Sequence, residues 1–213
     1  MKKRFLILFL TVGTLLSAQN DKKYVETLLT DFSTKLEQRG IRDYFSVEKY
    51  CMGNVQMFTM SNGSLCTSKG TYTEVYLFWT EDDGSSWVKK FDNCGLFLSV
   101  ELKKNEIHQY AEENVSGLKS GSVKRFETEN MNSGRPALRT EIHNCLQAYR
   151  FTMGGETFEQ KFNELDLAEG TDERNGDKNL NYNYNKGMPV VALSNLCNNL
   201  LEELNTKGQF KRQ

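Results

Sequence analysis

Five cysteines, at positions 51, 66, 94, 145 and 197, are the residues of this chain with the widest choice of chemistry. Thiols form disulfides in an oxidising compartment, ligate metals as thiolates, or attack carbonyls when a base activates them. The spacing separates these uses. There is no Cys-x-x-Cys pair, and His108 and His143 are the only histidines, so no zinc signature is present. His143 and Cys145 lie two residues apart, but catalytic histidine and cysteine normally come from distant segments. The residues therefore do not favour a thiol enzyme. Five cysteines allow fifteen arrangements of two bridges and one free thiol, and the sequence leaves them open. Cys51 and Cys66 flank a short predicted strand and its loop and form the favoured pair. Closing such a loop contributes about 3 kcal/mol in the chain-entropy model. Cys197 falls on an apolar helical stripe and reads as a core residue.

Other chemistry is sparser. No phosphate-binding glycine loop, nucleophile elbow or dinucleotide fingerprint occurs, and no cofactor is implied. The acidic loop at 171–178 fails the EF-hand pattern, because Tyr182 stands where a bidentate glutamate belongs. Carboxylate neighbours such as Glu81 with Asp82, or Glu112 with Glu113, read as a solvated turn and a solvated helix face. The suggestive feature is aromatic. Tyr72, Tyr76, Phe78, Trp79 and Trp87 crowd adjacent predicted strands. If helices cover one face only, these residues form a platform for sugar, peptide or lipid. Apolar residues on both faces of 72–80 favour cover on both sides instead.

The chain begins with Lys2, Lys3 and Arg4, continues through an apolar stretch at 5–16, and reaches small residues at Ser17 and Ala18. That is the three-part pattern of a secretory signal peptide, with cleavage expected after Ala18. Twelve apolar residues span about 18 Å as a helix, too short for a bilayer core of about 30 Å. The sequence Leu15-Leu16-Ser17-Ala18-Gln19 resembles the signal peptides of secreted Bacteroidota proteins. The stretches Val75-Tyr76-Leu77-Phe78-Trp79 and Lys90-Phe91-Asp92-Asn93-Cys94-Gly95 resemble uncharacterised secreted or periplasmic proteins of that group. The resemblance implies export and no particular activity.

The 213 residues carry 27 basic and 28 acidic side chains, a balance unsuited to coating nucleic acid. The first eighteen residues hold three basic and no acidic residues, so the remainder has 24 basic against 28 acidic, a net charge of −4. One domain over 19–213 is expected at this length, with 116–139 as the place for any boundary.

The elements that must position these residues follow from periodicity. Tyr24, Val25, Leu28, Leu29, Phe32 and Leu36 predict a helix over 22–39, capped by Asp21 and ended by Gly40. Residues 44–102 turn to strand patterning, with a strand at 54–60 and three consecutive strands at 72–80, 86–91 and 96–102 that form an antiparallel meander. A weaker helix is expected over 105–118. A hairpin follows at 146–153 and 156–163 around Gly154-Gly155, and its residues 147–152 echo 74–79. The asparagine-rich stretch 164–187 reads as an exposed loop. Leu193, Leu196, Cys197, Leu200, Leu201 and Leu204 predict a final helix after Pro189, followed by a basic, frayed tail at 207–213. The sum is an α+β fold, a mostly antiparallel sheet with N- and C-terminal packing helices. The functional expectation is an exported, non-catalytic module binding a protein, peptide or sugar, without a membrane span once the signal is removed. The alternative is a secreted hydrolase with a carboxylate-based site.

Overall fold

A strand that is apolar on both faces must lie mid-sheet with cover on each side, and 72–80 does so. The computed structural model describes residues 21–129, 136–140, 144–170 and 177–213. The signal-peptide segment, His143 and most of the 171–178 loop lie outside the described residues. The elements in chain order are α1 (Lys22–Gln38), β1 (Tyr44–Cys51), β2 (Met57–Thr59), β3 (Leu65–Thr67), β4 (Thr73–Thr80), β5 (Ser86–Asp92), β6 (Gly95–Leu96) and β7 (Val100–Leu102). They continue with α2 (Glu106–Glu113), α3 (Val115–Ser120), β8 (Glu127–Thr128), β9 (Ala137–Leu138), β10 (Cys145–Met153), β11 (Glu156–Asn163), α4 (Tyr182–Lys186) and α5 (Pro189–Thr206). A single 3-10 turn, Glu164–Leu167, follows β11. The fold is α+β, with a main antiparallel sheet of seven strands in the order β11-β10-β1-β4-β5-β6, and β7 also on β5.

Strands from both sides of 116–139 interleave in this sheet, because β1 pairs with β10 on one side and β4 on the other. The echo between 74–79 and 147–152 has a structural counterpart. Lys49 opposes both Gln147 and Glu74, Val47 both Tyr149 and Tyr76, and Phe45 both Phe151 and Phe78. A row of stacked rings results, with Phe45 4.9 Å from Phe78 and 5.5 Å from Phe151, and Phe151 4.8 Å from Phe158. The β10–β11 turn closes tightly because Gly154 and Gly155 take φ of +59° and +79°, the left-handed values a two-residue hairpin needs.

Both sheet faces are covered. Helix α5, begun by Pro189 at its first turn, buries Val190, Leu193, Cys197, Leu201 and Leu204 with α2 and α3 over the Phe45 row. Helix α1, capped by Asp21 Oδ1 accepting from the Tyr24 N–H at 2.8 Å, lays Val25, Phe32 and Leu36 on Val75, Leu77, Trp79 and Phe91.

β6 and β7 are one strand interrupted by a bulge. From Phe91↔Leu96 to Val88↔Val100, three steps on β5 match four on its partner. The C-terminal tail lies along the outer edge of that strand. Leu98 N–H donates to Lys211 O at 2.8 Å, and Gln213 N–H to Leu96 O at 3.0 Å. The tail expected to fray is thus docked. Its anchor is Arg212, whose guanidinium makes two 2.6 Å bonds to the fully buried Asp92 and lies over the rings of Phe58 and Phe97.

The disulfide expectation is corrected. Cys51 bonds Cys145 and Cys66 bonds Cys94, leaving Cys197 free and buried. The pairing of β1 with β10 sets Cys51 directly opposite Cys145, and Cys66 on the β2–β3 ribbon is drawn to the β5–β6 turn instead. The 164–187 stretch is corrected as well. Asn179 and Asn185 are buried, and their side-chain amides donate to Asp166 O, Ala168 O and Lys124 O, supplying partners the irregular backbone lacks.

Candidate binding groove

The aromatic platform does not form a surface. Tyr72, Tyr76, Phe78 and Trp79 are buried and Trp87 is half-buried. Their parity divides them between the two covered faces: Trp79 and Trp87 stack under α1, while Tyr76 and Phe78 face α5. Their polar atoms are used internally. Tyr72 OH donates to Asp92 at 3.1 Å, Tyr76 OH to Glu74 at 3.0 Å, Trp79 Nε1 to Glu81 at 2.8 Å and Trp87 Nε1 to Ser85 Oγ at 2.9 Å.

Next to this core runs a row of polar side chains that sequence reasoning did not find. Gln147, Lys49, Glu74 and Asp92 are register neighbours across four strands on the α5 face. Lys49 Nζ donates to Asn198 Oδ1 at 2.5 Å, Lys90 to Glu74 at 2.7 Å, and Ser194 Oγ and Tyr149 OH both donate to Gln147 Oε1. The groups are matched to one another, which is how buried polar atoms are tolerated. Burial lowers the Lys49 pKa and pushes the Cys197 thiol up to about 12, so Cys197 stays protonated and unreactive. Burial also pushes His108 down to about 4, and its Nε2 has no hydrogen-bond partner among the described residues. Among those residues no group of three or more His, Cys, Asp or Glu is placed to hold a metal ion.

An opening of about 450 Å³ lies between β7, α2 and the C-terminal half of α5. Its floor is aliphatic: Val100 and Leu102 from β7, Ile107 from α2, and Leu196, Leu200 and Leu204 from α5. The 3.6-residue helical period puts Leu196, Leu200, Glu203 and Lys207 on one stripe. The stripe therefore runs from apolar floor to charged mouth. At the mouth Lys104 pairs with Glu106 at 2.8 Å and Lys207 with Glu203 at 2.5 Å. The bond and charge of Lys207, with the charges of Lys103 and Lys104, hold the Glu203 carboxyl below its usual range. Lys103 itself makes no ion pair among the described residues. An apolar floor of this size ringed by a few charges is the composition of a ligand seat.

A smaller opening of about 190 Å³ lies between α1 and the outer strands, lined by Lys22, Glu48, Arg150, Glu159 and others. Three carboxylates, Glu26, Glu48 and Glu159, line it. Glu48 is held by Lys22 at 2.5 Å and Glu159 by Arg150 at 2.7 Å, which commits both to cations.

Among the described residues no helix is long and apolar enough to cross a membrane. Compared with known protein families, curated proteins and solved structures, the chain matches none.

Proposed function

We propose that the chain is an exported, non-catalytic binding module that seats an apolar ligand group in the groove between β7, α2 and α5. The observation carrying this reading is the groove itself: half-buried Val100, Leu196 and Leu200 over buried Leu102, Ile107 and Leu204, bounded by charge. Export is supported by the tripartite N-terminus and by two disulfides, which suit an oxidising compartment. The hydrolase alternative has less support, because Glu48 and Glu159 each pair with a neighbouring basic side chain, Lys22 and Arg150.

The test is a screen of peptides, fatty acids and oligosaccharides on the purified protein, read by amide hydrogen exchange. Ligands should protect β7, α2 and α5, and Leu200→Glu should weaken them about tenfold or more by placing a charge in the apolar seat. Protection elsewhere, or indifference to Leu200→Glu, would refute the groove. Turnover of a screened ester, peptide or glycoside, abolished by Glu48→Gln or Glu159→Gln, would establish the hydrolase. Fusion of residues 1–30 to a reporter that folds only after translocation tests export. An inactive fusion with an intact N-terminus would refute it.

A further inference from the structure

Taking the groove as the ligand seat proposed above, we infer that its occupant is an extended peptide segment, which adds as a strand to the open edge of β7 while its alternate apolar side chains enter the groove.

The sheet edge supplies the first reason. β7 has β5 on one side and, among the described residues, no strand on the other. Its outward N–H and C=O groups are an unfilled half-ladder, and such an edge is a template for another strand. The groove is lined by five consecutive residues, 100–104, so it runs alongside this edge.

The second reason is that the same edge already accepts a strand. One bulge upstream, the chain's own tail pairs with 96–98 through the bonds of Lys211 and Gln213. The backbone bonds of that added segment run up to Leu98, and Lys207 and Gln209 just before it line the groove beside β7. The opposite sheet edge, β11, borders the smaller opening of about 190 Å³ and carries Glu156, Glu159 and Lys161.

The third reason is chemical. An alkyl chain would fill the floor made by Ile107, Leu196 and Leu200 but would leave the β7 backbone groups to water. A peptide satisfies both, with main-chain bonds giving affinity and alternate side chains giving selectivity. Lys103, which lines the groove and makes no ion pair among the described residues, favours an acidic residue or C-terminal carboxylate on the incoming strand.

The experiment uses a short capped peptide of alternating valine and threonine, two N-methylated twins of it that each lack the N–H groups of one edge, and decanoate as an apolar group without a backbone. The parent peptide should bind, protect the outward amides of Val100–Leu102 from exchange, and compete with decanoate. One twin should bind about tenfold or more weakly and the other like the parent, because only one edge faces β7. Equal binding by both twins, or unprotected β7 amides, overturns strand addition. So does binding of decanoate alone, although in that case sensitivity to Leu200→Glu leaves the groove reading standing. If neither peptide nor decanoate binds, strand addition and the groove fall together.

Discussion

Replacing Arg212 with alanine tests the anchoring of the tail and has a large expected effect. Asp92 is 0% exposed and the Arg212 side chain 17% exposed, so the pair sits in a low-dielectric setting with two 2.6 Å bonds. Arg212→Ala leaves the Asp92 carboxylate buried, with the Tyr72 hydroxyl at 3.1 Å and the Cys94 N–H at 2.8 Å among the donors that remain. Breaking a buried pair from one side costs about 3–5 kcal/mol. The two retained neutral donors place Arg212→Ala near the lower end. Urea unfolding followed by the fluorescence of Trp79 and Trp87 should show a midpoint shift of that size with an unchanged slope. Adding Asp92→Asn removes the orphaned charge and should recover about 2 kcal/mol, since most of the loss is desolvation of an unpaired ion and not the worth of the pair. Hydrogen exchange should also report opening of the 96–98 edge as the tail leaves. A loss below about 1 kcal/mol, or no recovery with Asp92→Asn, would refute the assignment of Arg212 as the anchor.

Three further outcomes are expected. Removing the Cys66–Cys94 bridge with paired serines, a loop of 28 residues, should destabilise the fold by about 3.5 kcal/mol in the chain-entropy model, measured by denaturant titration; a neutral result would mean that the β2–β3 ribbon is tied down by other contacts. His108, near 4 when folded and 6.5 when exposed, binds more protons in the unfolded state between those values. Stability should therefore fall as pH drops from 6.5 towards 4, by at most about 3 kcal/mol, and His108→Leu should flatten that slope. Cys197, raised from 9.0 to about 12, should resist a thiol reagent at pH 8 in the native protein and react at once in urea; rapid native labelling would contradict its burial.

The sequence is most readable where periodicity and chemistry agree locally. The α1 and α5 stripes, the Asp21 cap, Pro189 at the first turn of α5 and the Gly154-Gly155 hairpin all behave as their residues predict. β1 is harder to see. Its centre reads Ser46-Val47-Glu48-Lys49, and charges in mid-strand mask the alternation. They are tolerated because Lys22 meets Glu48 and Asn198 meets Lys49, both from elsewhere in the chain. With β1 unplaced, the Cys51–Cys145 bridge is invisible too, since it depends on a pairing across 94 residues. Asn179 and Asn185 mislead because an asparagine is polar in isolation but serves as a buried backbone substitute when two carbonyls converge on it. The groove has no local signature, because its walls come from residues near 100 and near 200, and neither segment alone is concave.

The position of β1 also fixes the order in which the protein can mature. Phe45 and Val47 emerge early during synthesis, but Tyr149 and Phe151, which cover their other flank, arrive about a hundred residues later. Until then β1 is a naked apolar border beside the β4–β5 hairpin, able to recruit a second nascent chain. Fragments that stop short of Met153 should therefore aggregate rather than rest as stable half-proteins. The protein becomes safe to release only when its last third has been made and α5 closes over the stacked rings.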